Sequence, residues 1–203
     1  MTPLSVFFSY FPALVIVLAL SNLLLLFKTG LIAYFFILIF VIYGLPVVVF
    51  QLHEKFFPLK NGSSLLSGPE YSPWWGSHQI QWVFIAFPCL ETLLRAFPGL
   101  FSRWLRLWGS KIGNNIYWTP GITIGDRGKL ELGDNLVFGQ DVALSSHIIR
   151  VSKRGTKLLV KPIKIGSGTF LGAGTVLGPG VEIAPDSQVP IGTVLAGNVK
   201  FPN

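Results

Sequence analysis

From Leu4 to Phe27 every residue is uncharged, and most are Leu, Val, Ile, Phe or Ala. At about 1.5 Å per residue this run makes a helix of about 36 Å, enough to cross a hydrocarbon core of about 30 Å. Lys28-Thr29-Gly30 interrupts it, and a second apolar run from Leu31 to Phe50 repeats the pattern. Pro12 and Pro46 fall inside the runs, where membrane helices tolerate them as kinks. The pattern predicts a transmembrane helical hairpin over residues 1–55. A cleaved signal peptide would start with a basic region and would not be followed so closely by a second span, so the hairpin is the better reading.

Residues 56–110 change character. Trp74, Trp75, Trp82, Trp104 and Trp108 alternate with prolines and with Arg95, Arg103 and Arg106. This mixture predicts short amphipathic helices lying at the headgroup level as a collar. A third span through Trp82 to Leu94 is opposed by Glu91 and Arg95, which are costly in lipid.

After Lys111 glycine becomes frequent and the aliphatics fall into a register of six. From Ile165 the chain reads IGSGTF, LGAGTV, LGPGVE, IAPDSQ, VPIGTV and LAGNVK. Each hexad begins with Ile, Leu or Val, and its fifth place is Thr, Val or Ser. A period of six is commensurate with the two-residue period of a strand and not with the 3.6 of a helix. First and fifth places therefore share one side of short strands, while Gly, Asn and Asp supply the turns. An earlier block obeys the same rule from Ile112, slips by two at Leu130-Glu131, and resumes as LGDNLV, FGQDVA and LSSHII. Residues 111–203 are thus expected to form a parallel β-helix of about four coils.

Composition fits this division. The chain has 203 residues, of which 51% are hydrophobic and only 12% charged, half the charged share of an ordinary soluble domain. Its net charge is +7 and unevenly spread. Arg150, Lys153, Arg154, Lys157, Lys161 and Lys164 form a run without an acid in the insertion Ile148 to Lys164, which breaks the repeat after His147 and reads as a loop. Such a run suits anionic lipid or a phosphorylated cofactor. It does not suit nucleic acid, because the aromatics lie elsewhere and no stacking platform accompanies the charge. Nearly all Lys and Arg follow the hairpin, so positive-inside bias places both termini in the cytoplasm. The single cysteine, Cys89, sits in an apolar run and reads as a buried thiol, which rules out an internal disulfide or a cysteine metal cluster. No metal is expected.

The hexads resemble those of hexapeptide-repeat acyltransferases, and LELGDNLVFGQDVALSSHII, KPIKIGSG and GTVLAGN are similar to the branch containing the colanic acid biosynthesis O-acetyltransferases. The resemblance covers Lys111 to Lys200. It implies a left-handed β-helix, a homotrimer, and an acyl thioester bound between neighbouring solenoids. His147 matches the family's general base, with Asp141 or Glu131 as candidates to orient its ring. Gly172, Ala173 and Gly174 would lie beside the thioester. Gly197 and Asn198 belong to the segment Ala196-Gly197-Asn198-Val199-Lys200, which lacks the family's Pro-Ala pair. Lys153, Arg154 and Lys157 are the cations placed to meet the phosphates of acyl-CoA, or the acidic helix of an acyl carrier protein.

A soluble acetyltransferase needs no hairpin, so the expected acceptor is a membrane lipid, glycolipid or lipid-linked sugar. Trp74, Trp75 and His78 are the candidates to hold it, whereas His53 reads as a plain interfacial residue. Two other readings are a non-catalytic membrane-tethered scaffold and an N-acyltransferase fed by acyl carrier protein.

Overall fold

The computed structural model describes residues 1–66, 68–153 and 155–202. The chain divides into two compact units, one of Met1–Leu59 with Gly68–Val83, the other of Lys60–Ser67 with Phe84–Asn203. The 56–110 segment is shared between them.

In the first unit, α1 (Pro3–Ser9) and α2 (Phe11–Thr29) form one nearly continuous apolar stretch. Thr2 caps α1 through the Ser5 amide, and Gly30, at a φ of 66°, ends α2. The return stretch is α3 (Ile32–Ile39), a π-helical turn at Phe40–Gly44, and α4 (Leu45–Phe56). A Cβ at Gly44 would press on the Phe40 ring at 2.5 Å, so a larger residue there would have to displace that ring. Both stretches, Pro3–Thr29 and Ile32–Phe56, are long and apolar enough to cross a bilayer. Only 17% of each most apolar window is buried within the protein, unlike the core helix of a soluble domain. Chain passes between the units within α5 (Pro73–Ala86).

The second unit holds β1 (Gly62–Leu65), α6 (Cys89–Arg95), α7 (Leu100–Leu107) and a stack of short parallel strands. The first rung is β2 (Lys111–Ile112), a bridge at Tyr117, and β3 (Thr123–Ile124). Next come β4 (Leu130–Leu132), β5 (Val137–Phe138) and β6 (Ala143–Leu144). An antiparallel hairpin of β7 (His147–Ser152) and β8 (Gly155–Val160) then leaves the stack. β9 (Ile163–Ile165), β10 (Phe170–Leu171) and β11 (Val176–Leu177) resume it. β12 (Glu182–Ile183), β13 (Gln188–Val189), β14 (Val194–Leu195) and β15 (Lys200–Phe201) complete it.

Strands in corresponding places of successive coils pair in parallel, giving three faces, β15-β12-β9-β4-β2, β13-β10-β5 and β14-β11-β6-β3. Three faces around one axis make a triangular coil. Its interior is the first place of each hexad: Phe138, Leu144, Leu171, Leu177 and Val189 are all buried. The fifth places, Thr169, Thr175 and Ser187, are buried too, and their hydroxyls donate to corner carbonyls. Thr175 Oγ1 reaches Gly172 O at 2.7 Å and Ser187 Oγ reaches Ala184 O at 2.7 Å. A small hydroxyl residue is therefore chosen because it fits the corner and satisfies a buried carbonyl.

Four sequence expectations are corrected here. Trp74, Trp104 and Trp108 are buried in protein, not laid out as an interfacial belt. Trp104 and Trp108 pack with Phe84 and Phe101 in an aromatic cluster, because α7 turns those side chains inward. Cys89 is exposed, since α6 buries Glu91 and Leu94 and the residue two before Glu91 falls on the opposite side of the helix. His53 is buried, held among Phe8, Phe57 and Tyr71. Finally, the basic insertion after His147 is not a loop: β8 pairs with β7 on one side and β1 on the other.

Candidate active site

One coil of the early stack takes 20 residues, as the pairing of Ile112 with Leu132 and of Ile124 with Leu144 shows. The corner after β3 therefore lies directly beneath the corner after β6, which puts Asp126 under the start of the hairpin. Asp126 Oδ2 accepts from His147 Nδ1 at 2.7 Å. The Asp126 side chain is 3% exposed and that of His147 17%, so the dyad meets solvent through the imidazole. A carboxylate on Nδ1 is the arrangement that orients an imidazole for proton transfer through its other nitrogen. Neither residue considered earlier as the orienting acid does this. Glu131 pairs with Lys111 at 3.6 Å, and Asp141 occupies a turn with a φ of 57° beneath Gly121.

The dyad's corner is fastened from several sides. Ser146 Oγ donates to Lys129 O at 2.9 Å, and Ser145 Oγ to His147 O at 3.0 Å. Next to Asp126, the buried Arg127 donates through Nε to Glu91 Oε1 at 2.7 Å. Arg95 Nη2 donates to Glu91 Oε2 at 3.1 Å and to Ile122 O at 2.9 Å. One buried carboxylate thus ties α6 to the coil through two guanidinia. Burial lowers the pKa of Arg95, with Glu91 acting against that shift and Arg127 adding to it. The guanidinium of Arg127 also lies 5.3 Å over the Phe84 ring, and that of Arg95 lies 4.4 Å over Phe101.

A cavity of about 210 Å³ lies against the β3/β6 face. Phe84, Pro88, Ile122 and Leu144 supply apolar wall, and Gly125 and Ser145, neighbours of the dyad residues in the chain, complete it. Ligand pockets usually hold about 300–1,000 Å³, so this one accommodates one end of a larger molecule.

The donor candidates fall on different corners. Gly197 and Asn198 share the dyad's corner two turns along, and Asn198 Oδ1 accepts from Lys161 Nζ at 2.7 Å. Gly172, Ala173 and Gly174 lie on the preceding corner, between β10 and β11. Gly172 has a packing reason to be glycine, since a Cβ there would meet Ile191 N at 2.5 Å on the next coil. Gly174 has a conformational one, a φ of 68°. Lys153 and Lys157 are exposed on the β7–β8 hairpin, and Arg154 lies outside the described residues. Arg150 and Lys157 face each other across that hairpin. The basic run is less uniform than it reads, because Lys164 pairs with Glu182 at 3.0 Å.

Trp74, Trp75 and His78 belong to the first unit, His147 to the second. Trp74 stacks on His78 with centroids 4.9 Å apart. Trp75 Nε1 donates to Ser9 Oγ at 3.1 Å and Ser5 O at 3.3 Å. Nearby, His53 Nε2 and the Tyr71 hydroxyl are 2.7 Å apart, and Gly76 leaves them room that a side chain would fill. Burial raises the Tyr71 pKa, opposed by a hydrogen bond to the Gly76 backbone. The described residues hold no cluster of metal-ligating side chains.

The chain is similar to solved hexapeptide-repeat acetyltransferases. One, from Vibrio cholerae O1 biovar eltor in complex with acetyl coenzyme A, is 20% identical with a TM-score of 0.34, over 44% of this chain and 56% of that one. The match thus spans little more than half the length of the Vibrio protein. A galactoside acetyltransferase in complex with coenzyme A is 19% identical with a TM-score of 0.37, over 55% of this chain and 74% of that one. Serine acetyltransferase isoform 3 from Entamoeba histolytica, in complex with cysteine, is 14% identical with a TM-score of 0.24, over 77% and 58%. No family model and no curated protein matches the chain.

Proposed function

We propose that the protein is a membrane-embedded acyltransferase that moves an acyl group from acyl-CoA to a hydroxyl of a lipid, glycolipid or lipid-linked sugar. The observation that carries this reading is the Asp126–His147 dyad at a β-helix corner, in which a buried carboxylate holds one nitrogen of a partly exposed imidazole. In the proposed reaction Nε2 takes the acceptor's hydroxyl proton as its oxygen attacks the thioester carbonyl. The tetrahedral intermediate collapses, the C–S bond breaks, and the imidazolium returns its proton to the departing thiolate. Asp126 supports the positive charge that the ring carries between those events.

The apolar cavity beside Gly125 and Ser145 suits one end of the acceptor. Lys153 and Lys157 suit the donor's phosphates. Arg150 directly opposite Lys157 supports this, because like charges paired across strands are unfavourable unless an anion visits. The two apolar stretches serve as membrane spans, both termini lie in the cytoplasm, and three chains assemble so that donor clefts form between neighbouring solenoids.

The test is lipid mass spectrometry of cells expressing the wild-type chain, the His147→Ala chain, or neither. An acylated lipid present only with wild type supports the reading. Identical lipid profiles in all three, with the protein present in the membrane, would overturn it.

A further inference from the structure

We propose that a second pocket, framed by α6, α7 and the first rung, binds a phosphoryl group. It has a volume of about 470 Å³ and is lined by Arg95, Arg103, Arg106, Asn114, Asn115 and Trp118 among others, with no carboxylate in its wall. The pocket uses the corner after β2, whereas the dyad uses the corners after β3 and β6, so it is a separate site.

The charge in this pocket is fixed in place and poorly compensated. Arg106 donates through Nε to Ile112 O at 2.8 Å and through Nη2 to Gly113 O at 2.7 Å, with Asn114 Oδ1 at 3.2 Å. Those partners are neutral, so they aim the guanidinium without cancelling its charge. Arg95 is 5% exposed and shares the single carboxylate of Glu91 with Arg127. Its Nε is buried without a hydrogen-bond partner among the described residues. Arg103 stands exposed on α7, between them in sequence. Asp134, on the next coil, accepts from the Asn114 amide at 2.6 Å.

Arg95, Arg103 and Arg106 line one cavity, and of the three only Arg95 has a carboxylate partner among the described residues, so the pocket favours an anion. A phosphoryl group offers three acceptor oxygens and more than one negative charge, so it can meet several forks at once, where a carboxylate meets one. The volume lies within the ordinary range for a ligand pocket. The same chemistry is presented by a lipid phosphate and by a soluble one.

Calorimetric titration of the full chain in neutral detergent tests this, with inorganic pyrophosphate and dioctanoyl phosphatidic acid as probes. The Lys153→Gln/Lys157→Gln background removes the hairpin cations from the readout. Saturable binding should weaken about tenfold or more in Arg103→Gln, recover in part in Arg103→Lys, and stay unchanged in Lys60→Gln. Phosphatidic acid binding at least about tenfold tighter than pyrophosphate identifies a lipid headgroup. Pyrophosphate binding as tightly or more tightly identifies a soluble phosphate. Absence of saturable binding for both probes overturns the proposal, as does binding that survives both Arg103→Gln and Arg106→Gln.

Discussion

Asp126 precedes His147 by 21 residues and lies 2.7 Å from it, because one coil of the solenoid returns the chain to the same corner. Asp126→Asn keeps the shape but offers no charge to an imidazolium and permits the wrong tautomer. The expected result is a fall in kcat of about 10² to 10⁴, with donor KM unchanged. Steady-state kinetics with varied acyl-CoA checks this, and an unchanged kcat would remove Asp126 from the mechanism.

Glu91 holds two guanidinia out of water, so Glu91→Gln removes the carboxylate that Arg95 and Arg127 share. Removing one partner of a buried ion pair typically costs about 3–5 kcal/mol. A marked drop in the unfolding midpoint is expected in detergent. The same Glu91→Gln chain should also lose activity, because Arg127 adjoins Asp126.

Across one face of the coil the strand register aligns Lys111, Glu131, Lys164, Glu182 and Lys200 in an alternating row. A hydrogen bond from Lys164 lowers the Glu182 pKa, with the charges of Lys164 and Lys200 adding to it. The bond to Glu182 likewise raises the Lys164 pKa, with the charges of Glu182 and Glu131 adding to it. The Glu182 contribution is therefore present above the ordinary glutamate range and lost as pH falls through its lowered pKa. That of Lys164 is present below the ordinary lysine range and lost as pH rises through its raised pKa. The row is exposed, so its effect is small and screened by salt. Wild type and Glu182→Gln should differ slightly in midpoint at neutral pH and converge in acid, in strong alkali and in high salt.

Charge reversal of Lys153 and Lys157 should raise the donor KM, and the effect should shrink with salt, since exposed charges are screened over about 8–10 Å. Weakened binding to anionic vesicles with an unchanged donor KM would instead assign the hairpin to membrane docking.

The coil was legible because its signal is local: an aliphatic every sixth residue and a small hydroxyl residue four later. Asp126 was not, because its role depends on the length of a whole coil and not on its neighbours Gly125 and Arg127. Counting 20 residues back from His147 would have pointed to 126–127. The β7–β8 hairpin read as a loop because its outer partner, Gly62–Leu65, lies far upstream in the chain. Glu91 and Arg95 read as a bar to a membrane span, and the sequence carries no sign that Arg127 joins them. The tryptophans of α7 read as interfacial because composition does not reveal which side of a helix meets protein.

The most direct test is transfer of a labelled acyl group from acyl-CoA to membrane lipid by the purified chain, comparing wild type with His147→Ala. Wild type should label a lipid fraction. His147→Ala should turn over about 10²- to 10⁴-fold more slowly, with its unfolding midpoint and oligomeric state unchanged. Turnover within a few-fold of wild type would contradict the assignment of His147 as the base.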